Sequence, residues 1–175
     1  NALDNVLTGR GTVFNDTFDG GLGADTMIAE GGKFTVDNPG DRVITQSGSD
    51  TFIKSSINWT LADTHKGLEL LAGTSAAVGT GNAANNELLG NSNANLLSGL
   101  DGADTLYGGM GADTLVGGQG SDTYFIADVR TVVGTQVRYG LNSPASVMDD
   151  SVVEAAGEGL DTVNSLFDYT LPDNV

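Results

Sequence analysis

Apolar residues recur at a fixed spacing in the second half of the chain. From Gly81 to Phe125 it divides into five blocks of nine: GNAANNELL, GNSNANLLS, GLDGADTLY, GGMGADTLV and GGQGSDTYF. Position eight of the last three blocks holds Leu106, Leu115 and Tyr124, between β-prone residues at positions seven and nine. That alternation predicts a very short strand with position eight turned inward. Glycine recurs at positions one, two and four, which predicts a tight turn before each strand. Nine residues are too few for a helix hairpin. Two blocks make one coil of eighteen residues with a strand on each side. Successive coils then pair in parallel, and the inward side chains stack into a narrow core. The period returns near the start, in GTVFNDTFD at 11–19 and GGLGADTMI at 20–28, with Phe18 and Met27 at position eight.

A longer period encloses the short one. NALDNVLTG at Asn1–Gly9 matches NAANNELLG at Asn82–Gly90, and SDTFIKSSINWTL at Ser49–Leu61 matches LDTVNSLFDYTL at Leu160–Leu171 with one residue inserted in the first copy. Residues 1–80 therefore read as a first long repeat, with a short roll over 1–36 and connector strands over 37–80. Residues 81–175 read as a second, truncated one, with a roll over 81–126, an insertion over 129–148 and a connector over 149–175. Ile53, Ser55, Ile57, Trp59 and Leu61 alternate with polar residues, as do Val163, Ser165, Phe167, Tyr169 and Leu171. Period two over nine residues predicts a half-buried strand. The connectors are thus expected as further strands packed on the rolls, with Trp59 and Tyr169 as anchors capping roll ends. The second copy stops before the counterpart of Gly67–Thr80, so the chain is expected to be a segment of a longer repetitive protein.

Composition sharpens the chemistry. The 175 residues carry 7 Lys+Arg against 23 Asp+Glu, a net charge of −16. Such a chain repels nucleic acid and anionic membrane surfaces and attracts cations. No apolar run reaches the ~18 residues of a membrane span. Cysteine is absent, which excludes disulfides and thiolate metal sites. The acidic residues are also in register. Asp104, Asp113 and Asp122 hold position six of the last three blocks, and Asp16 and Asp25 hold it near the start. Asp104 and Asp122 are one coil apart and so share one edge. Parallel strands lie ~4.8 Å apart, and carboxylates that close repel unless a cation lies between them. Calcium fits, because it takes about 6–8 mixed carboxylate and carbonyl oxygens. Magnesium demands stricter geometry, and zinc lacks its preferred ligands here.

The blocks resemble the RTX family, the Gly- and Asp-rich nonapeptide repeats of secreted bacterial proteins. Gly20–Ile28, Gly108–Val116 and Gly117–Phe125 match the repeat at every defined position, and Gly99–Tyr107 misses one glycine, at Leu100. The connectors, GEGLDTVNSLFDYTLPDNV and His65–Asn86, are similar to segments between nonapeptide arrays in large RTX exoproteins. The resemblance implies an all-β fold, a parallel β-roll (a right-handed β-solenoid) with several Ca²⁺ ions in its turns. The expected ligands are Asp104, Asp113 and Asp122 with carbonyls of Gly99, Gly102, Gly108, Gly109, Gly111, Gly117, Gly118 and Gly120. Asp25 and Asp16 are expected to bind further ions with Gly20, Gly21 and Gly23. The best site is expected between the Asp104 and Asp122 turns, and the next between the Asn95 and Asp113 turns. Asn86 and Asn95 replace Asp; an Asn carbonyl can still ligate, and Asn95 is among the expected ligands, but it brings no charge, so these sites are expected to be weaker. The resemblance also implies secretion by a type I system, folding on calcium outside the cell, and a place in an adhesin or surface-layer protein. The alternative is the secretion and folding module of an RTX exoenzyme (a lipase, protease or polysaccharide-modifying enzyme).

Catalysis within these residues is not expected. GTSAA at Gly73–Ala77 lacks the second glycine of a nucleophile elbow. His65 is the only histidine, has no evident partner, and is expected on a surface loop. The insertion carries Arg130 and Arg138, and Thr131–Tyr139 suggests a hairpin with its turn near Gly134. It reads either as a loop for a carbohydrate or cell-surface ligand or as a tolerated surface excursion. The remaining expected partners are the neighbouring repeats of the parent chain.

Overall fold

The computed structural model describes residues 1–9, 16–45, 50–126, 130–133, 136–139, 150–165 and 169–171. These hold eighteen strands and no helix. One sheet takes eight of them: β2 (Thr17–Asp19), β4 (Gly32–Val36), β6 (Thr51–Ser55), β8 (Gly67–Leu70), β10 (Glu87–Leu89), β12 (Thr105–Tyr107), β14 (Thr123–Ile126) and β18 (Thr162–Ser165), adjacent in that order. The opposite side carries β1 (Val6–Thr8), β3 (Thr26–Ile28) and β5 (Arg42–Ile44) as one sheet. A second sheet there holds β7 (Trp59–Thr60), β9 (Val78–Thr80), β11 (Leu96–Asp101), β13 (Thr114–Gln119) and β17 (Ser151–Val153). Every pairing within these sheets is parallel, and neighbours are alternate strands of the sequence except β13 with β17 and β14 with β18, between which the insertion falls. The chain therefore crosses over and returns once per coil, which makes a β-solenoid. The eight-stranded sheet runs unbroken from β8 to β10, so the two long repeats share it.

The inward column is narrow. Phe18, Phe34, Ile53, Leu68, Leu88, Leu106, Tyr124 and Val163 lie in register on consecutive rungs. All but Val163 are buried, and Met27, Leu97, Leu115 and Val152 join them in the same core from the other side. Each buried Leu or Phe contributes roughly 1.5–3 kcal/mol. Three strands add a second core residue, Val36 on β4, Leu70 on β8 and Ile126 on β14. Strict nonapeptides give eighteen-residue coils, but the eroded block at Ala29–Phe34 keeps its rung with a shorter one: β4 skips two residues and still brings Phe34 onto Phe18, rings stacked at 4.9 Å.

Several expectations change. The connectors are not strands packed on the rolls; β6, β8 and β18 are rungs of the roll itself. Their inward residues continue the core column. The nine-residue strand expected over Ile53–Leu61 breaks at Ser56–Ile57 into β6 and β7, which belong to opposite sheets. The chain turns a corner there, and the Ser55 hydroxyl donates to the Ile57 carbonyl at 2.6 Å. Trp59 accordingly sits on an edge strand partway along the roll, while Tyr169 packs against the core and accepts the Val152 N–H at 3.1 Å. His65 is buried, not on a surface loop, and its Nδ1 accepts the Ala62 N–H. The insertion does carry an antiparallel pair, β15 (Arg130–Val133) with β16 (Gln136–Tyr139). Gly134 and the rest of the insertion lie outside the described residues.

The missing glycine at Leu100 has a backbone cost. Position two of the turn is left-handed, with φ of 76° at Gly21, 93° at Gly109 and 97° at Gly118, and Leu100 is forced to 84°. Its side chain is exposed, so no core contact compensates. Leu100→Gly is expected to stabilise the folded protein by about 0.5–1 kcal/mol. The denaturation midpoint in saturating calcium reads this directly, and an unchanged or lowered midpoint would contradict it.

Candidate metal centre

Each turn ends on position six, just before its strand, so the position-six side chains form two rows, one along each edge of the roll. One row runs Asn86, Asp104, Asp122, Asp161, and the other Asn95, Asp113, Asp150; upstream, Asn5, Asp25 and Asp41 repeat the pattern. Within a row each Asp bonds to the rung before it. Asp104 Oδ1 accepts the Asn86 N–H at 2.7 Å, Asp122 Oδ1 that of Asp104 at 2.7 Å, and Asp161 Oδ1 that of Asp122 at 2.8 Å. Asp113 accepts from Asn95, Asp150 from Asp113, Asp25 from Asn5 and Asp41 from Asp25 in the same way.

The second oxygen behaves differently. Oδ2 of Asp25, Asp104, Asp113 and Asp122 is buried with no hydrogen-bond partner, four times over at the same repeat position. Buried polar atoms of this kind are rare, since each costs free energy when no donor or cation meets it. Around each one, the glycine at position one leaves room. A Cβ on Gly99 would collide with Asp104 Oδ2 and lie 2.7 Å from the Gly117 carbonyl, and one on Gly108 would lie 2.6 Å from Asp113 Oδ2. Cβ atoms on Gly20 and Gly117 would likewise meet Oδ2 of Asp25 and Asp122. At Gly99 a carboxylate oxygen and the carbonyl of the next rung thus converge where only glycine fits. That donor set, hard oxygens with net negative charge, suits Ca²⁺.

Burial dominates the electrostatics. It pushes the Asp104 carboxyl up to about 7, opposed by the Asn86 N–H bond and reinforced by Asp122 and Asp101. It pushes Asp113 up to about 7 as well, opposed by the Asn95 N–H and reinforced by Asp150. Asp122 is raised by burial too, with Asp161 and Glu158 adding to the shift and the Asp104 N–H opposing it.

The asparagine turns are built to be satisfied without a cation. Asn95 Oδ1 accepts the Asn91 N–H at 2.8 Å, while Asn95 Nδ2 donates to the Ala76 carbonyl at 3.5 Å and to Asn91 Oδ1 at 3.4 Å. Asn91 Nδ2 reaches the Leu71 and Ala76 carbonyls, and Asn93 Nδ2 those of Thr74 and Ala76. Asn82 Nδ2 bonds the Ala62 and His65 carbonyls, at 2.7 and 2.8 Å. Side-chain amides here cap previous-rung carbonyls.

The structure brings Asp104 and Asp122 onto consecutive rungs, and places Asn95 beside Asp113. Asp25 and Asp16 are separated: Asp25 stands between Asn5 and Asp41, whereas Asp16 precedes edge strand β2 of the opposite sheet. The neighbouring rung offers Asp16 the backbone of Gly32 and Lys33, with no carboxylate. Gly21, Gly23, Gly102, Gly109, Gly111, Gly118 and Gly120 all take positive φ, as turn positions two and four require. Three acidic residues of the rows escaped the sequence reading: Asp41, Asp150 and Asp161. For Asp161 the signal was present, since Ala156–Asn164 (AGEGLDTVN) is a nonapeptide with alanine for its first glycine. Asp50, aligned with Asp161 by sequence, lies one residue out of register. Thr51 falls opposite Gly32, and exposed Asp50 instead pairs with Lys66 at 2.6 Å.

A parallel solenoid whose turns present buried carboxylate oxygens in a glycine frame is a cation-binding repeat protein. The RTX calcium-binding nonapeptide repeat matches the chain in four copies, over residues 4–33 and 89–124. Those segments are RTX calcium-binding nonapeptide repeats, and they lie within one β-solenoid. A search of curated proteins finds no match. The matched segments include Asp16, Asp25, Asp104, Asp113 and Asp122; Asp41, Asp150 and Asp161 lie beyond them but in the same rows.

Two measurements test this centre. Gly99→Ala introduces no backbone strain but fills the space between Asp104 Oδ2 and the Gly117 carbonyl. Calorimetric titration is expected to count one calcium fewer per chain, and an unchanged count would speak against the site. The second concerns pH. The folded carboxyls of Asp104 and Asp113 titrate near 7 without metal, far above about 3.9 in an unfolded chain. Stability from their protonated forms is complete below the unfolded value and is lost as pH rises through about 7. Without calcium, acidification from pH 8 to 5 is therefore expected to increase β structure by circular dichroism. With limiting calcium the same change is expected to weaken binding, because protons compete for Oδ2. A metal-free spectrum that does not respond to pH would refute this.

Proposed function

We propose that the chain is a calcium-triggered folding module of a larger secreted or cell-surface bacterial protein, of adhesin or surface-layer type. In this reading it is exported unfolded by a type I system and compacts outside the cell. The observation that carries it is the set of four buried carboxylate oxygens without partners at Asp25, Asp104, Asp113 and Asp122. The net charge of −16 and 26 glycines oppose compaction when no cation is bound. A site of Kd ~10⁻⁴ M at tenfold higher calcium contributes about 1.4 kcal/mol. Four such sites contribute about 6 kcal/mol, comparable to the whole stability of a domain. The calcium gradient between cytoplasm and exterior thus becomes a folding switch. In this proposal the rolls carry no catalytic step, and any enzymatic activity of the parent protein resides elsewhere. No helix among the described residues is long and apolar enough to cross a membrane.

Far-UV circular dichroism and hydrodynamic radius, measured in millimolar calcium and in excess chelator, test the proposal. Loss of β structure and expansion on chelation, both reversed by adding calcium, are expected. A compact β spectrum that survives chelation at pH 8 would overturn it.

A further inference from the structure

The roll does not end where the strict repeats end. After the insertion the chain rejoins at β17, which pairs with β13, and then at β18, which pairs with β14. Glu154 lies one residue beyond β17, so it enters from the side opposite Asp122. It is buried, and Tyr124 Oη donates to its Oε1. One ligand oxygen from each of Asp122, Glu154 and Asp161 lies within 4.8 Å of the others. An acidic cluster alone would be uninformative. Here, however, Asp122 is 1% exposed and its Oδ2 has no partner. That oxygen points into the cluster, because a Cβ on Gly117 would meet both Asp122 Oδ2 and the Tyr124 hydroxyl that holds Glu154.

We infer that Asp122, Glu154 and Asp161 form a calcium site of a second kind, in which the bare oxygen of Asp122, the last of the four position-six centres, is met by two further side-chain carboxylates. The nonapeptide centres draw one side-chain carboxylate per turn and complete it with backbone carbonyls. This one gathers three side-chain carboxylates, one of them from the facing sheet. Its charge favours a divalent or trivalent hard cation over a monovalent one. Bound there, the ion ties the two strands that follow the insertion, β17 and β18, to the last strict repeat. The insertion then sits on a closed scaffold. The inference rests on the calcium reading of the roll and adds to the Asp122 centre a ligand that the repeat pattern does not contain, since Glu154 belongs to no nonapeptide.

Calcium counting by equilibrium dialysis on the 175-residue chain is the test. Glu154→Gln keeps an acceptor for Tyr124 and removes one charge. It is expected to lose one bound calcium while Asp104→Asn loses a different one, so that the double variant loses both. If the parent chain binds no calcium, the functional reading itself falls. If the parent chain binds calcium and Glu154→Gln binds the same number as tightly, only this site falls. A readout independent of that variant's folding is terbium emission sensitised by tyrosine, with and without Tyr124→Phe. A several-fold loss of emission in Tyr124→Phe supports an ion beside Glu154, and unchanged emission excludes it.

Discussion

A carboxylate with one oxygen bonded and the other buried without a donor is unfavourable wherever it stands. At position six of the described turns it stands four times, each time against a glycine. The bonded oxygen sets register, because Oδ1 of each rung receives the N–H of the rung before. The bare oxygen sets the requirement for a cation. One side chain therefore does two jobs with its two atoms: it aligns the coils and it makes their stacking conditional. The narrow apolar column does not remove that condition, since it does not fill the turns where the charge sits.

The asparagine turns show the alternative solution to the same problem. Where Asp becomes Asn, the second atom turns from acceptor to donor, and it caps carbonyls of the preceding rung. Asn82, Asn91 and Asn93 extend this network back to Ala62, Leu71 and Ala76. The stretch from β8 to β10 is thereby held by neutral hydrogen bonds, while the rungs from Asp104 onward carry buried charge. Metal dependence is consequently uneven along one continuous sheet. A neutral middle adjoins an acidic end, and folding of the acidic end has a template of paired strands to extend.

How much of this was legible follows from the local chemistry. The nonapeptide register was readable because glycine, aspartate and one large apolar residue recur together; Leu106, Leu115, Tyr124, Phe18 and Met27 all point inward as their phase requires. The connectors were harder. Ile53 and Val163 announced inward positions, but the sequence pattern did not say that β6 and β18 would continue the same sheet. The corner at Ser56–Ile57 interrupts an alternation that reads as unbroken, because period two does not reveal which sheet a strand joins. Asp161 was hidden by alanine in place of the first glycine. Glu154 could not have been found from the repeat, since its role depends on a strand that returns after the insertion. His65 was misplaced because a lone polar residue in a degraded turn carries no signal of burial.

The cation condition is best examined where it is built most regularly, between the Gly99–Asp104 turn and the Gly117 carbonyl. A crystal grown in calcium and measured at a long wavelength would give an anomalous difference map of the roll. A peak bonded to Asp104 Oδ2 and to the Gly117 oxygen, with a second beside Asp113 Oδ2, is the expected result. Ordered turns with both carboxylates in place and no anomalous peak beside either would contradict the view that a cation makes these rungs tolerable.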